Sequence, residues 1–272
     1  MAHESVFASG EEPTAFERSF SFHAILSCMK KMRLDKLLVE RGLCESEEEA
    51  LRVVLAHEVK VDDVYATSAA VKVSPDADVW VKEHGRFVTR GGVKLQAALD
   101  AFGQTAEGLD CADIGCSHGG FTDCLLQAGA ASVAAIDVGY GDLNWKLRQD
   151  PRVRVFERTN IRTADPSTLG APFDLLVADL SFIGLAQLAP TFAALSREDS
   201  VFIGLVKPQF ESAHEETDEK GVVQDESVRV RTVEEVGDAL EAAGFHCTGV
   251  MESPIKGKQS GNIEYLIRAV KQ

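Results

Sequence analysis

Apolar and polar residues alternate along this chain in two successive regimes. From residue 32, "MRLDKLLVERGL" sets Leu34, Leu37, Leu38 and Arg41 at helical spacing and ends on Gly42, where a helix stops. Ser46 followed by Glu49 forms a capping box for a second helix, and Ala50, Leu51, Val53, Val54 and Leu55 give it an apolar face up to His57. "VKVDDVY" and "VWVKEHGRFV" then alternate as short strands, so the segment to about residue 88 reads as two helices plus a small sheet. Beyond it the pattern predicts a helix over 91–102 and strands at "LDCADIG", "SVAAID", "VRVFE", "FDLLVAD", "VFIGLVK" and "IEYLIRAV". Further helices are expected near 119–129, 183–195 and 226–243. Such alternation predicts an α/β chain: a doubly wound sheet with helices on both faces, preceded by a small α+β domain.

Residues 1–31 break the pattern. "HESVFASGEEPTAFERSFSFH" has no helical or strand periodicity and lacks the basic-then-apolar order of a secretory signal. A disordered extension, or an upstream start ahead of Met32, is expected there. The 272 residues suffice for one large and one small domain, and the 45% hydrophobic content supports a normal core. No run approaches the roughly 18 apolar residues of a spanning helix, which argues against membrane association. Cysteines at 28, 44, 111, 116, 124 and 247 form neither a C-x-x-C pair nor a metal spacing, a pattern that suits a reducing cytoplasm and implies no metal. The net charge of -15 argues against nonspecific coating of nucleic acid, because phosphate binding is driven by cations that release counterions. A local basic patch remains compatible with it.

The candidate chemistry begins at "DIGCSHGGFTDCLL", a glycine-rich strand-to-helix turn of the kind that admits a nucleotide-like ligand against bare backbone. A dinucleotide fingerprint would read G-x-G-x-x-G, whereas here Gly115 is followed by Gly119 and Gly120. The carboxylate of Asp113 beside the turn would disfavour a diphosphate and favour a cationic ligand. S-adenosylmethionine, with a sulfonium and an ammonium, matches it better than a nicotinamide dinucleotide. Asp137 ends the next strand, where a carboxylate meets ribose hydroxyls in such folds. Taken singly, Asp113 reads equally as a helix cap and Asp137 as a turn residue.

Asp179 and Lys207 follow apolar strands and belong on the carboxyl rim, where sheet enzymes of this class hold their chemistry. Lys94 lies early in the helix at "RGGVKL". Glu264 opens the last strand, and reaches the same rim if that strand runs antiparallel. A lone lysine on a helix is ordinarily a snorkelling surface residue. Asp179 reads equally as a turn residue and Glu264 as the partner of a neighbour.

The stretches "RLDKLL", "RGGVKL", "DIGCSHGGFTDCLL", "AIDVGYG", "ERTN", "ADLSFI", "LVKPQFE" and "GNIEYL" run in order from residue 32 to the C-terminus, and together they resemble the TlyA family. Its members carry both hemolysin and ribosomal RNA 2'-O-methyltransferase names, and its catalytic domain is similar to the FtsJ methyltransferase. The resemblance implies a Rossmann-like class I methyltransferase sheet over 91–272, an alpha-L RNA-binding domain of the ribosomal protein S-four type over 32–90, and methylation of a cytidine ribose in ribosomal RNA. It places a Lys-Asp-Lys-Glu tetrad on Lys94, Asp179, Lys207 and Glu264. Methyl transfer to a hydroxyl requires a base. Lysines are ordinarily protonated, a nearby lysine disfavours the charged form, and carboxylates hold it in place. On that pattern Lys207 is the base, Asp179 positions it, and Lys94 and Glu264 complete the charge network and orient the ribose. The cofactor set implied is Asp113, Gly115, Ser117, Gly119, Gly120, Phe121, Asp137, Val138, Asn160 and Asp179.

Domains of the S-four type place basic residues on the second helix, yet this chain has Glu47, Glu48 and Glu49 there. Arg33, Lys36, Arg52, Lys60, Arg86 and Arg90 are the remaining RNA-binding candidates, joined by Lys256 and Lys258 in "IKGKQSGN". The acidic connection "PQFESAHEETDEKGVVQDE" reads equally as a lid and as an inert flank. The expected partners are ribosomal RNA or assembled subunits. The rival readings are a noncatalytic ribosome-assembly factor and a membrane-active hemolysin.

Overall fold

The structure, a computed structural model, describes residues 31–44, 46–82, 85–257 and 261–272. The expected extension up to residue 30 and the candidate Lys258 lie outside the described residues. The described residues divide into two compact units, one ending at residue 82 and one beginning at residue 85.

In the first unit, β1 (Met32–Arg33) leads into α1 (Leu34–Glu40) and α2 (Glu47–Leu55). β2 (Val59–Val61), β3 (Val64–Tyr65), β4 (Lys72–Val73) and β5 (Val79–Val81) follow. The Ser46 hydroxyl accepts the Glu49 N–H at 3.2 Å and so starts α2 where the capping pattern puts it. The buried stripe of α2 is narrower than the sequence suggests. Ala50, Val53 and Val54 are buried at i, i+3 and i+4, but Leu51 and Leu55 face solvent. β2 pairs antiparallel with both β3 and β5, while β1 pairs with β4, a short ladder that the pattern did not reveal. Leu34, Leu37, Leu38, Val53, Val54 and Val59 form the core of this unit.

The second unit starts before the expected boundary at residue 90. Phe87 is buried with Leu95 and Phe121, and the Val88 N–H donates to Asp123 Oδ2 at 2.8 Å, so the strand-like run near 85–88 is an anchor of the larger unit. Gly92 is required by that anchor, since a Cβ there would lie 2.3 Å from the Phe87 ring.

The elements of this unit are α3 (Gly91–Phe102), β6 (Asp110–Ile114), α4 (Gly120–Gln127), β7 (Ser132–Ile136), α5 (Trp145–Gln149), β8 (Val153–Phe156), α6 (Pro166–Leu169) and β9 (Phe173–Ala178). They continue with α7 (Ala189–Leu195), β10 (Ser196–Val206), α8 (Pro208–Glu211), α9 (Glu226–Ala242), β11 (Phe245–Glu252) and β12 (Tyr265–Lys271). The helix expected over 183–195 is shorter, because a 3-10 turn at Ala186–Leu188 precedes α7 and Pro190 cannot donate back into an earlier turn. β11 was not anticipated.

The sheet runs β11-β12-β10-β9-β6-β7-β8. Neighbours from β10 to β8 are parallel, and β12 is antiparallel to both β10 and β11. Alternate residues of each central strand feed two cores. Cys111, Val133, Ala135, Leu175 and Val177 meet Leu95, Leu99 and Leu125 of α3 and α4 on one face. Ala112, Ala134, Ile136, Leu176 and Ala178 meet Phe192 of α7 and Val236 and Leu240 of α9 on the other.

Candidate active site

Strand order reverses at β6: β7 and β8 lie to one side, β9 and β10 to the other. A crevice opens at the carboxyl ends of strands where an open sheet reverses in this way. Gly115, at φ +84°, turns the chain there, and a Cβ on it would lie 2.7 Å from the Asp179 carbonyl oxygen. The turns after β6 and β9 therefore touch backbone to backbone. Asp137 joins the neighbouring turns, because its two oxygens accept the N–H groups of Ser117 at 2.8 Å and Gly139 at 2.7 Å. The Thr159 N–H donates to the Asp137 carbonyl at 2.9 Å, which brings Asn160 alongside. Asn160 is exposed, its Oδ1 accepting the Arg162 N–H at 3.1 Å, and Val138 is also exposed.

A cleft of about 1020 Å³ occupies this rim. Gly115, Ser117, Gly120 and Phe121 line it from the glycine turn, and Lys94, Asp179, Lys207 and Glu264 line it together from four elements. Gly119, Asp137, Val138 and Asn160 stand outside its lining. The antiparallel pairing of Val206 with Tyr265 is what sets Glu264, one residue before β12, beside Lys207, one residue after β10.

The four charges form two ion pairs. Lys94 bonds Glu264, and both are buried. Lys207 Nζ lies 2.6 Å from Asp179 Oδ1, outside hydrogen-bond alignment, and donates to Ser181 Oγ at 3.3 Å. Each amine thus has its own carboxylate, with Asp179 beside Lys207 and Glu264 beside Lys94. The snorkelling alternative for Lys94 does not hold, since only 8% of the residue is exposed.

Asp113 departs from expectation. It does not face the cleft: it is fully buried beneath the turn, where Oδ2 accepts the Thr122 hydroxyl at 2.6 Å and Oδ1 has no hydrogen-bond partner. Burial pushes its carboxyl up to about 7, against the Thr122 bond, and the nearby charges of Asp179 and Asp137 push the same way. The folded chain therefore holds a proton that the unfolded chain, near 3.8, releases. Stability from this group is fully present below the unfolded value and is lost as pH rises through about 7. Asp113→Asn removes that dependence. Its melting temperature relative to the parent should climb between pH 5 and pH 8, and parallel curves in a thermal unfolding series would contradict the assignment.

Several lining residues carried no signal in the sequence. Phe182 is 92% exposed, with φ at +69°, and its ring stands 5.6 Å from that of Phe210 at the cleft mouth. A bulky residue in the left-handed region is uncommon, and here no burial of the ring accounts for it. Lys220 also lines the mouth, and the buried Asn262 ties its loop down by accepting the Val223 N–H at 2.9 Å and donating to the Gly221 carbonyl at 2.8 Å. The acidic connection is thus pinned to the segment that carries Glu264. Cys116 lines the cleft too, but burial pushes its thiol above the usual range, so it is no nucleophile. Among the described residues no cluster of His, Cys, Asp and Glu could hold a metal, and no helix is long and apolar enough to cross a membrane.

The basic candidates scatter. Arg90 and Lys256 line the cleft, with the Arg90 guanidinium donating to the Lys256 carbonyl at 3.3 Å. Arg86 stacks 5.0 Å from the Phe87 ring. In the first unit Arg33 pairs with Asp35 at 2.5 Å, Arg52 with Glu49 at 3.2 Å, Lys36 is exposed, and Lys60 lies over two aromatic rings.

Comparison with known proteins bears on both units. Residues 87–271 match the FtsJ-like methyltransferase family, and residues 32–79 match the S4 domain. The 16S/23S rRNA (cytidine-2'-O)-methyltransferase TlyA of Mycobacterium tuberculosis is 43% identical over 88% of this chain and 89% of its own. YqxC of Bacillus subtilis is 44% identical over 88% of this chain and 85% of its own. A solved chain from Streptococcus thermophilus, described under a hemolysin name, is 38% identical, covers 90% of each chain and superposes with a TM-score of 0.67.

Proposed function

Since the chain belongs to the FtsJ-like methyltransferase family and carries an S4 domain ahead of that fold, we propose that it transfers a methyl group from S-adenosylmethionine to the 2'-hydroxyl of a cytidine in ribosomal RNA. The observation that carries the reading is the meeting of two lysine–carboxylate pairs with a glycine turn in one cleft at the point where the sheet reverses.

The residues fit the donor. Gly115 lets the turn after β6 close against the Asp179 carbonyl, where any side chain would collide, and the carboxylates of Asp137 and Asp179 lie close enough to raise the proton affinity of Asp113, a field that favours a cation. Gly115, Ser117, Gly120 and Phe121 would hold the donor from the turn, with Asp137, Val138 and Asn160 toward its nucleoside. S-adenosylmethionine, when bound, supplies a methyl already activated by a cationic sulfur.

What remains for the protein is to make the ribose oxygen a nucleophile and to align it. In the proposed reaction Lys207 Nζ takes the hydroxyl proton, having first passed its own to solvent, while Asp179 and Ser181 hold the amine in place. Lys94 and Glu264 fix the opposite wall as a preorganised pair. Phe182, on its raised turn, presents an open aromatic face for the base of the target nucleotide, and Arg90, Lys220 and Lys256 offer cations to flanking phosphates.

The test is direct. Purified protein with isotopically labelled S-adenosylmethionine and ribosomal subunits should yield RNA whose nuclease digests contain labelled 2'-O-methylcytidine. Label on a base, or none above that of heat-killed protein, would refute the reading.

A further inference from the structure

The small sheet of the first unit bears, on its solvent side, residues that ordinary alternation would make polar. Lys60 on the central strand β2 stands directly opposite Tyr65 on β3 and Trp80 on β5. The three form one row across the sheet, on the face opposite Val59, Val61, Val79 and Val81, which pack on the core. Tyr65 is 50% exposed and Trp80 48%. Lys60 Nζ lies 5.1 Å from the centre of the Tyr65 ring and 5.7 Å from that of Trp80. Two aromatic planes therefore flank a cation on a surface where nothing among the described residues of this unit covers them.

We propose that this row is a stacking platform for an unpaired base of the RNA substrate, with the adjoining phosphate drawn to Lys60. The inference rests on the proposed action on RNA. Its chemistry is that of single-strand recognition: each ring offers a face to a base of any identity, and a lysine between them neutralises the backbone that joins successive bases. Charge elsewhere on the unit favours the same face. The first turn of α2 carries Glu47, Glu48 and Glu49, of which the first two are exposed, and that surface repels phosphate. Contact with RNA is thus displaced from the helix to the sheet. Because every base has a π face, the platform adds affinity and reach but little sequence preference.

The chain has two tryptophans, Trp80 and Trp145, so full-length protein carrying Trp145→Phe reports Trp80 alone. Titration with a short oligocytidine at low salt should quench that emission, while a duplex of equal length, whose bases are already stacked, should quench it far less. Adding Tyr65→Ser should weaken oligocytidine binding about tenfold. Lys60→Gln should leave the quench in place and lower the dependence of affinity on salt by about one counterion. No quenching, equal quenching by duplex, equal quenching by an acidic peptide, or less than a twofold effect of Tyr65→Ser would each overturn the proposal. Methyl transfer by the same Trp145→Phe protein separates it from the reading on which it rests. Turnover without quenching sinks the platform alone, whereas quenching without turnover leaves the platform and removes the reaction.

Discussion

Lys207→Met should abolish methyl transfer while leaving donor binding nearly intact. Lys207 sits at the end of β10, only 9% exposed, with Asp179 at 2.6 Å and Ser181 at 3.3 Å holding its amine at the rim of the cleft. Methionine keeps the unbranched length of the side chain but has no proton acceptor of comparable basicity. A positioned base contributes on the order of 10²–10⁴ in rate, and single-turnover methylation of ribosomal subunits should fall by that factor. Calorimetric affinity for S-adenosylmethionine should stay within about threefold, because the turn from Gly115 to Phe121 that would hold it is untouched. Turnover within a few-fold of the parent would remove Lys207 from the chemistry.

Lys94→Ala should be the most destabilising change in the cleft. Glu264, 3% exposed, would be left as a buried charge without its ammonium. Removing one partner of a buried pair costs about 3–5 kcal/mol, which for a unit of this size lowers the melting temperature by roughly 10 °C. The unfolding of the second unit can be followed through Trp145 in protein that carries Trp80→Phe. The double change Lys94→Met with Glu264→Leu removes both charges and should recover most of that stability, yet remain inactive. Full activity in the double variant would show that the pair only holds the fold together.

The central parallel strands β6, β7, β9 and β10 were legible because each is largely buried on both faces and reads as a short apolar run between turn residues. β11 was not, since "FHCTGVME" lies at the sheet edge with every second residue open to solvent, a pattern too polar to mark a strand. The tetrad was visible as four charged residues at element ends, but the direct contact of Glu264 with Lys94 was not. That contact depends on the register of β12 against β10, which no local pattern encodes.

Asp113 shows where chemical intuition about a motif outran the strand that carries it. Flanked by Ala112 and Ile114 in a central strand covered on both sides, it has no face open to the cleft, and period-two reasoning applied to β6 would have said so. Leu51 and Leu55 err the other way: they are helical and apolar, but lie off the stripe of Ala50, Val53 and Val54 that meets α1. The exposure of Phe182 could not be found by periodicity at all, because it comes with a left-handed backbone in a stretch that looks like core.

The placement of β12 between β10 and β11 has a consequence for biosynthesis. A nascent chain that has reached residue 252 holds two strands whose shared neighbour is still being made, so β10 and β11 present bare hydrogen-bonding edges to the crowded exit environment. Only when Tyr265–Lys271 enters that gap does the sheet become continuous from β11 to β8, and Glu264 arrives with it. The joining of β10 to β11 and the pairing of Glu264 with Lys94 therefore arrive in the same late event, and a ribosome that stalls just short of it releases a product lacking both.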